Sequence, residues 1–241
     1  MLNALEVNIE LNKFGGWNSY FKVDSCSTIL ERNMKVAKVM LPAAMENCYL
    51  AINEETKESI IIDPGSAADR VKSAVSQTGT KPVAVLLTHG HFDHAGEAAT
   101  IADEYGIKIY AHEACADELK NPSINLSADM YGSSETYRAD IFLKDDEVIE
   151  LAGLKVKCLF TPGHTPGGCC FYFEKEGIVF TGDTLFAGSV GRTDFPGGSM
   201  SQLVGSIKSK LLVLDDDTIC YPGHNEPTTI SEERLYNPYL G

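Results

Sequence analysis

Short apolar runs that stop in turns containing Gly or Pro recur along this chain and predict its strands. Ser59-Ile60-Ile61-Ile62 leads into Asp63-Pro64-Gly65, and Val83-Ala84-Val85-Leu86-Leu87 leads into Thr88-His89-Gly90. Val156-Lys157-Cys158-Leu159-Phe160 ends in Thr161-Pro162-Gly163, Ile178-Val179-Phe180 in Thr181-Gly182-Asp183, and Thr218-Ile219-Cys220 in Tyr221-Pro222-Gly223. Runs of this length, rich in β-branched residues, read as buried strands. Polar groups on loops just past such strand ends are placed to converge on one site held by a rigid scaffold.

Helical spacing fills the intervals. One helix is predicted over 67–77, with Ser66 as its cap and Gly79 as its stop. A second runs over 95–105, ended by Gly106, and a third over 113–120, stopped by Asn121-Pro122. Leu203, Ile207 and Leu211 mark a fourth over 199–212, capped by Ser199. Residues 229–236 read as a terminal helix whose Glu232-Glu233-Arg234 is solvated surface. Segment 121–139, rich in Asn, Ser, Gly and Tyr, has no period and reads as a lid, a binding loop or a disordered stretch.

Composition narrows the function. An apolar content of 44% and a charged content of 22% are those of a soluble globular protein. No apolar stretch reaches membrane-span length, and the N-terminus lacks the basic start and apolar core of a signal peptide. The cytoplasm is the expected location. A net charge of −14 argues against a nucleic-acid backbone as partner. The seven cysteines include no C-x-x-C pair and lie mostly in apolar runs, which predicts buried free thiols.

Candidate chemistry lies in the turns. His89, His91 and His94 fall within Thr88-His89-Gly90-His91-Phe92-Asp93-His94, His164 follows Pro162-Gly163, and His224 follows Pro222-Gly223. Asp183 lies between them in Thr181-Gly182-Asp183-Thr184. Neutral imidazole and carboxylate are the donors that zinc and other first-row divalent ions prefer. In an extended turn, residues two apart project to one side, so His89 and His91 can grip one ion. Asp93 and His94 lie past the turn and reach a second ion. His164 completes the first set, His224 joins the second, and Asp183 can bridge both. The cofactor expected is a pair of divalent metal ions, zinc foremost, with iron and manganese also suited. Water held between two such ions loses a proton near neutral pH and becomes a nucleophile, and Asp93 can orient it and accept a proton. The reading is a two-metal hydrolase. The sixth histidine, His112, lies outside every motif and reads as a surface or helix-start residue, and Asp63 as a turn former or a partner of a ligand histidine.

The set His89, His91, Asp93, His94, His164, Asp183 and His224 resembles that of the metallo-β-lactamase superfamily, over a stretch from about Val36 to the C-terminus. The resemblance implies an α/β fold, a four-layer αβ/βα sandwich of two mixed sheets with helices outside. Within that superfamily, Gly182-Asp183-Thr184-Leu185-Phe186, Gly188-Ser189-Val190-Gly191-Arg192-Thr193-Asp194 and Gly223-His224-Asn225-Glu226-Pro227 are similar to the glyoxalase II-like, or hydroxyacylglutathione hydrolase-like, branch. That branch implies hydrolysis of a small-molecule thioester, typically an S-2-hydroxyacylglutathione. Thiolate leaves readily, so no strong general acid is required. The chain is similar to the shorter, single-domain members. Arg192, in the glycine-rich loop, becomes the candidate contact for a substrate carboxylate, with an internal salt bridge to Asp194 as the alternative. Tyr131 is the second substrate-binding candidate. The expected organisation is one hydrolase domain over 1–241, in which 1–35 exceed the family pattern. Their aromatic patch of Phe14, Trp17, Tyr20 and Phe21 offers an added hairpin or a contact within a homo-oligomer.

Other readings of the same motifs are a persulfide dioxygenase, which carries a similar Gly-Arg-Thr-Asp-Phe stretch but uses a single iron, and a metallo-hydrolase of another ester or lactone. The complete second set of Asp93, His94 and His224 favours the thioester hydrolase. Two-metal β-lactamases usually carry cysteine where Asp183 stands, and flavodiiron modules carry glutamate where His91 stands.

Overall fold

A computed structural model describes residues 21–24, 33–128, 132 and 134–241. The first sheet runs in chain order: β1 (Phe21–Asp24), β2 (Met34–Met40), β3 (Asn47–Asn53), β4 (Glu58–Ile62), β5 (Lys81–Leu87), β6 (Lys108–His112) and β7 (Ile141–Leu143). Pairings up to β3–β4 are antiparallel and those from β4 to β7 are parallel. The second sheet comprises β8 (Val148–Leu151), β9 (Leu154–Phe160), β10 (Cys169–Phe173), β11 (Ile178–Gly182), β14 (Ile219–Pro222) and β15 (Thr228–Thr229), and within it β11–β14 is parallel. A hairpin of β12 (Leu185–Phe186) and β13 (Ser189–Val190) stands apart.

The apolar runs are continuous because both faces of each sheet are covered. Along β4 and β5, Ile60, Ile62, Ala84 and Leu86 point between the sheets, where they meet Cys158, Phe171, Phe173 and Phe180. The alternate residues Ile61, Val85 and Leu87 meet α1 (Ala68–Thr78) and α3 (Ala98–Tyr105) through Val71, Ala74 and Ile101. On the far side of the second sheet, Leu159, Cys170 and Val179 lie under Leu203, Ile207, Leu211 and Ile230. Those residues come from α5 (Met200–Ser206), the π turn Ile207–Leu211 and α6 (Ile230–Tyr236). The order is helix, sheet, sheet, helix: the four-layer αβ/βα sandwich.

Several local expectations change. Ser66 does not cap α1; its hydroxyl accepts the Ala43 N–H at 3.2 Å, and Ala67 (φ 49°) precedes the helix. Gly79 does close it, at φ 64°. The helix expected over 95–105 is two helices, α2 (Phe92–Ala95) and α3, so the first contains Asp93 and His94. They separate where the chain crosses the Asp63-Pro64-Gly65 turn: a β-carbon on Gly96 would lie 2.4 Å from the Gly65 carbonyl. His112 is buried rather than at the surface, and its Nδ1 accepts the Ala114 N–H at 3.2 Å. It thereby starts a 3-10 turn, Glu113–Cys115, that leads into α4 (Ala116–Lys120). Ser199 and Thr229 cap α5 and α6 through Gln202 and Glu232.

Glu233 is buried, not solvated. Its carboxylate accepts from Gly188 N, Thr228 Oγ1 and Asn237 Nδ2, tying α6 to the β12–β13 hairpin. Six cysteines are free and buried; Cys26 lies outside the described residues. Residues 21–24 pair with β2 as an added hairpin strand would, while 1–20 and 25–32 lie outside the described residues. No described helix is long and apolar enough to cross a membrane.

Candidate metal centre

Four turns, after β5, β9, β11 and β14, meet at one edge of the two sheets and bring all seven predicted ligands together, and the turn after β4 adds Asp63 beside them. His89, His91 and His164 form one group of donor atoms within 4.8 Å of one another, and Asp93, His94 and His224 form another. Asp183 spans them: its Oδ1 lies 3.4 Å from His94 Nε2, and its Oδ2 lies 3.4 Å from His164 Nε2 and 3.5 Å from His224 Nε2.

Hydrogen bonds behind the rings fix their tautomers. The Thr88 hydroxyl donates to Asp63 Oδ2 at 2.6 Å, so its oxygen accepts from His89 Nδ1 at 3.1 Å. His164 Nδ1 donates to the Arg192 carbonyl at 2.7 Å. Both rings therefore aim an Nε2 lone pair forward, and both lone pairs lie 3.1 Å from His91 Nδ1. A proton on that nitrogen serves one of them; a cation among the three serves all. Tetrahedral ligands bonded at about 2.0 Å stand about 3.3 Å apart, close to the spacing here.

Charge points the same way. Burial and the neighbouring His164 push His91 down to about 3, so it offers a neutral ring. Burial opposes charge on His94 and on His224, yet the facing Asp183 and Asp93 raise both. The two acids thus demand positive charge beside them, although burial works against their own ionisation. Facing imidazoles, His94 foremost, hold Asp93 below and Asp183 well below the carboxylate range. His94 Nε2 and Asp183 Oδ1, which face each other in the cluster, are buried without a hydrogen-bond partner. Polar atoms stranded this way are costly in a protein interior, and a bound divalent ion satisfies donors of this type. The residues fit such an ion. Exposure rises from 0% at His94 to 12% at Asp183 and 21% at His224, so the site opens on that side.

Residues outside the ligand set support the ligands. Asp63, in the left-handed region at φ 51°, is both turn former and partner: its Oδ2 lies 3.0 Å from His94 Nδ1. Asn47 Nδ2 and the Tyr49 hydroxyl donate to the Pro222 carbonyl, and buried Lys38 donates to the Asn225 carbonyl, holding the His224 loop to the first sheet. Glu46 is swung inward by two successive left-handed residues, Ala44 and Met45. It sits beside Asp63 and His94 with neither oxygen hydrogen-bonded, and burial raises its carboxyl well above the usual range. Glu118 touches both loops of the His89–His91–His164 group: it accepts from Gly90 N and Gly167 N.

The substrate candidates fare differently. The Arg192 guanidinium forms the internal pair with Asp194, at 2.7 and 2.6 Å, and stacks 4.1 Å above Phe195. Its backbone carbonyl, rather than its charge, reaches a ligand. Tyr131 lies outside the described residues.

A sandwich of this kind with histidines and acids at one edge defines a metal-binding hydrolase scaffold. Residues 41–224 match the metallo-beta-lactamase superfamily, and the chain belongs to it. It is 37% identical to the hydroxyacylglutathione hydrolase GloC of Haemophilus influenzae over 213 residues, 86% of this chain and 98% of that one. Among solved structures it is similar to the BLEG-1 B3 metallo-beta-lactamase, at 35% identity and a TM-score of 0.81, over 85% of this chain and 99% of that one. It is also similar to TTHA1623 in a di-iron-bound form, at 35% identity and a TM-score of 0.73, over 84% and 99%.

Proposed function

We propose that this chain hydrolyses small thioesters of the S-2-hydroxyacylglutathione type with two divalent ions. One is held by His89, His91 and His164, the other by Asp93, His94 and His224, with Asp183 shared. The observation that carries the reading is Asp183, whose two oxygens face imidazoles of both groups at 3.4 and 3.5 Å. The Haemophilus relative, named a hydroxyacylglutathione hydrolase, supports the substrate class.

When bound, ions at such a site activate water and polarise a carbonyl. The chain's own residues do the rest. Asp93, kept ionised by the imidazoles facing it, orients the water and accepts its proton. Asp63, Thr88 and the Arg192 carbonyl keep three rings in one tautomer each. Arg192, its side chain 59% exposed, exchanges Asp194 for a substrate carboxylate. Zinc suits these donors, and the di-iron form of TTHA1623 favours iron as the alternative.

The test is hydrolysis of S-lactoylglutathione and a panel of other thioesters by purified protein whose metal content is measured. Turnover with two ions per chain supports the proposal. A fully loaded chain inert on every thioester overturns it. Similarity to BLEG-1 favours a second reading, β-lactam hydrolysis, and a chromogenic cephalosporin assayed in parallel separates the two.

A further inference from the structure

Two loops from different sheets must be held in register for His89, His91 and His164 to share one ion. His89 and His91 follow β5 in the first sheet; His164 follows β9 in the second. A backbone bond joins the sheets nearby, from Cys169 N to the Thr88 carbonyl at 2.8 Å. The loops themselves meet through a side chain. Glu118, on α4, is 2% exposed; its Oε1 accepts the Gly90 N–H at 2.7 Å and its Oε2 the Gly167 N–H at 3.1 Å. Gly90 separates His89 from His91, and Gly167 lies just beyond His164.

Both loops carry glycine where the carboxylate approaches. A β-carbon on Gly90 would come within 3.0 Å of Glu118 Cγ and 3.2 Å of Oε1. On Gly167 it would come within 2.7 Å of Oε2 and 2.5 Å of Cys115 Cα. Absence of side chains at both points lets one carboxylate reach two amides. Its two oxygens are joined through one carbon, so they set the distance between the loops.

We propose that Glu118 is a positioning residue, a two-amide clamp that sets the spacing of the His89–His91–His164 group. The proposal rests on the reading that this group holds a metal ion. It predicts an effect confined to that group, because Asp93, His94 and His224 are held by other partners: Asp63 for His94, and Asn47, Tyr49 and Lys38 for the His224 loop.

Glutamine is the informative replacement. Its amide has a single acceptor, and its NH2 would confront one of the two N–H donors, so one loop is released while shape is kept. Glu118→Gln is expected to fold, to hold one ion tightly, and to bind the other at least tenfold more weakly in zinc competition with a chelator. Leu119→Ala is the control: it removes buried packing beside the clamp without touching either bond, and should keep two-ion binding. Full two-ion affinity in Glu118→Gln overturns the proposal, as does equal weakening in Leu119→Ala. A wild-type chain that binds no zinc defeats the metal reading instead, so the two failures are distinguishable. Should Glu118→Gln fail to fold, hydrogen exchange in the wild-type protein decides. The Gly90 and Gly167 amides should both be protected, and rapid exchange at either overturns the clamp.

Discussion

Asp63 holds His94 from behind: its Oδ2 lies 3.0 Å from His94 Nδ1, in a contact where both side chains are buried. The same carboxylate accepts the Thr88 N–H at 2.8 Å and the Thr88 hydroxyl at 2.6 Å. One acid beyond β4 thus fixes the ring of a ligand after β5 and, through Thr88, the tautomer of His89.

Asp63→Asn should therefore weaken metal binding without changing any ligand. Asparagine leaves one oxygen for three donors, and a stranded buried donor costs about 1–3 kcal/mol. Metal affinity should fall about 10–100-fold, as when the partner of a ligating histidine is removed elsewhere. Zinc competition with a chelator measures this directly, and superimposable curves for wild type and variant would refute it.

Asp183 and Gly223 separate binding from folding. Asp183→Ala should lose hydrolysis together with metal, because imidazoles of both groups face that carboxylate. Gly223→Ala should reach the same result by another route. Its β-carbon would lie 2.5 Å from both Asp183 Oδ1 and His94 Cε1, in the space between those donors. Both variants are expected to keep a wild-type far-UV circular dichroism spectrum while elemental analysis shows depleted metal. Activity surviving in metal-depleted Asp183→Ala would refute the assigned role of the metal.

How much of this was legible in the sequence follows from where each signal lay. Asp183 and the five ligand histidines each follow an apolar run, and such a run reads as a strand whatever it meets; the sandwich buries both faces and keeps the run unbroken. Glu118 gave no such signal, since an acid in a short helix looks solvated, and its partners lie 28 and 49 residues away. Glu233 was misread for the same reason. The split between α2 and α3 was hidden because Gly96 is itself helical; the break comes at Glu97, whose N–H donates to the Pro64 carbonyl of the crossing turn at 3.0 Å.

His112→Ala should leave metal content and turnover unchanged and lower stability by about 1–2 kcal/mol, the size of a lost helix-start bond plus ring stacking. The ring stacks on Phe160 at 4.1 Å and accepts from Ala114 N. Burial lowers its proton affinity, so the folded chain binds fewer protons here than the unfolded chain. The stabilising contribution is present above the unfolded value of about 6.5 and is lost as pH falls through and below it. Urea midpoints across that range should show a smaller acid loss in the variant; a parallel loss in both proteins would contradict the assignment.

Glu118 titrates in the opposite sense and gives the remaining pH prediction. Burial pushes its carboxyl from 4.5 up to about 7, against the pull of the Gly90 amide. Between those values the folded, metal-free chain binds a proton that the unfolded chain has released. Stability must then fall as pH rises through the window, and level off above about 7. A shift of this size corresponds to about 3 kcal/mol across the window. Glu118→Gln lacks the group, so the stability difference between wild type and variant should move in the variant's favour by about that much between pH 4.5 and 7.5. Other titrating residues, His94 and Asp183 among them, are common to both proteins and largely cancel in the comparison. Urea unfolding of chelator-treated protein at several pH values measures it, and a difference that stays flat would show that burial does not govern this carboxyl.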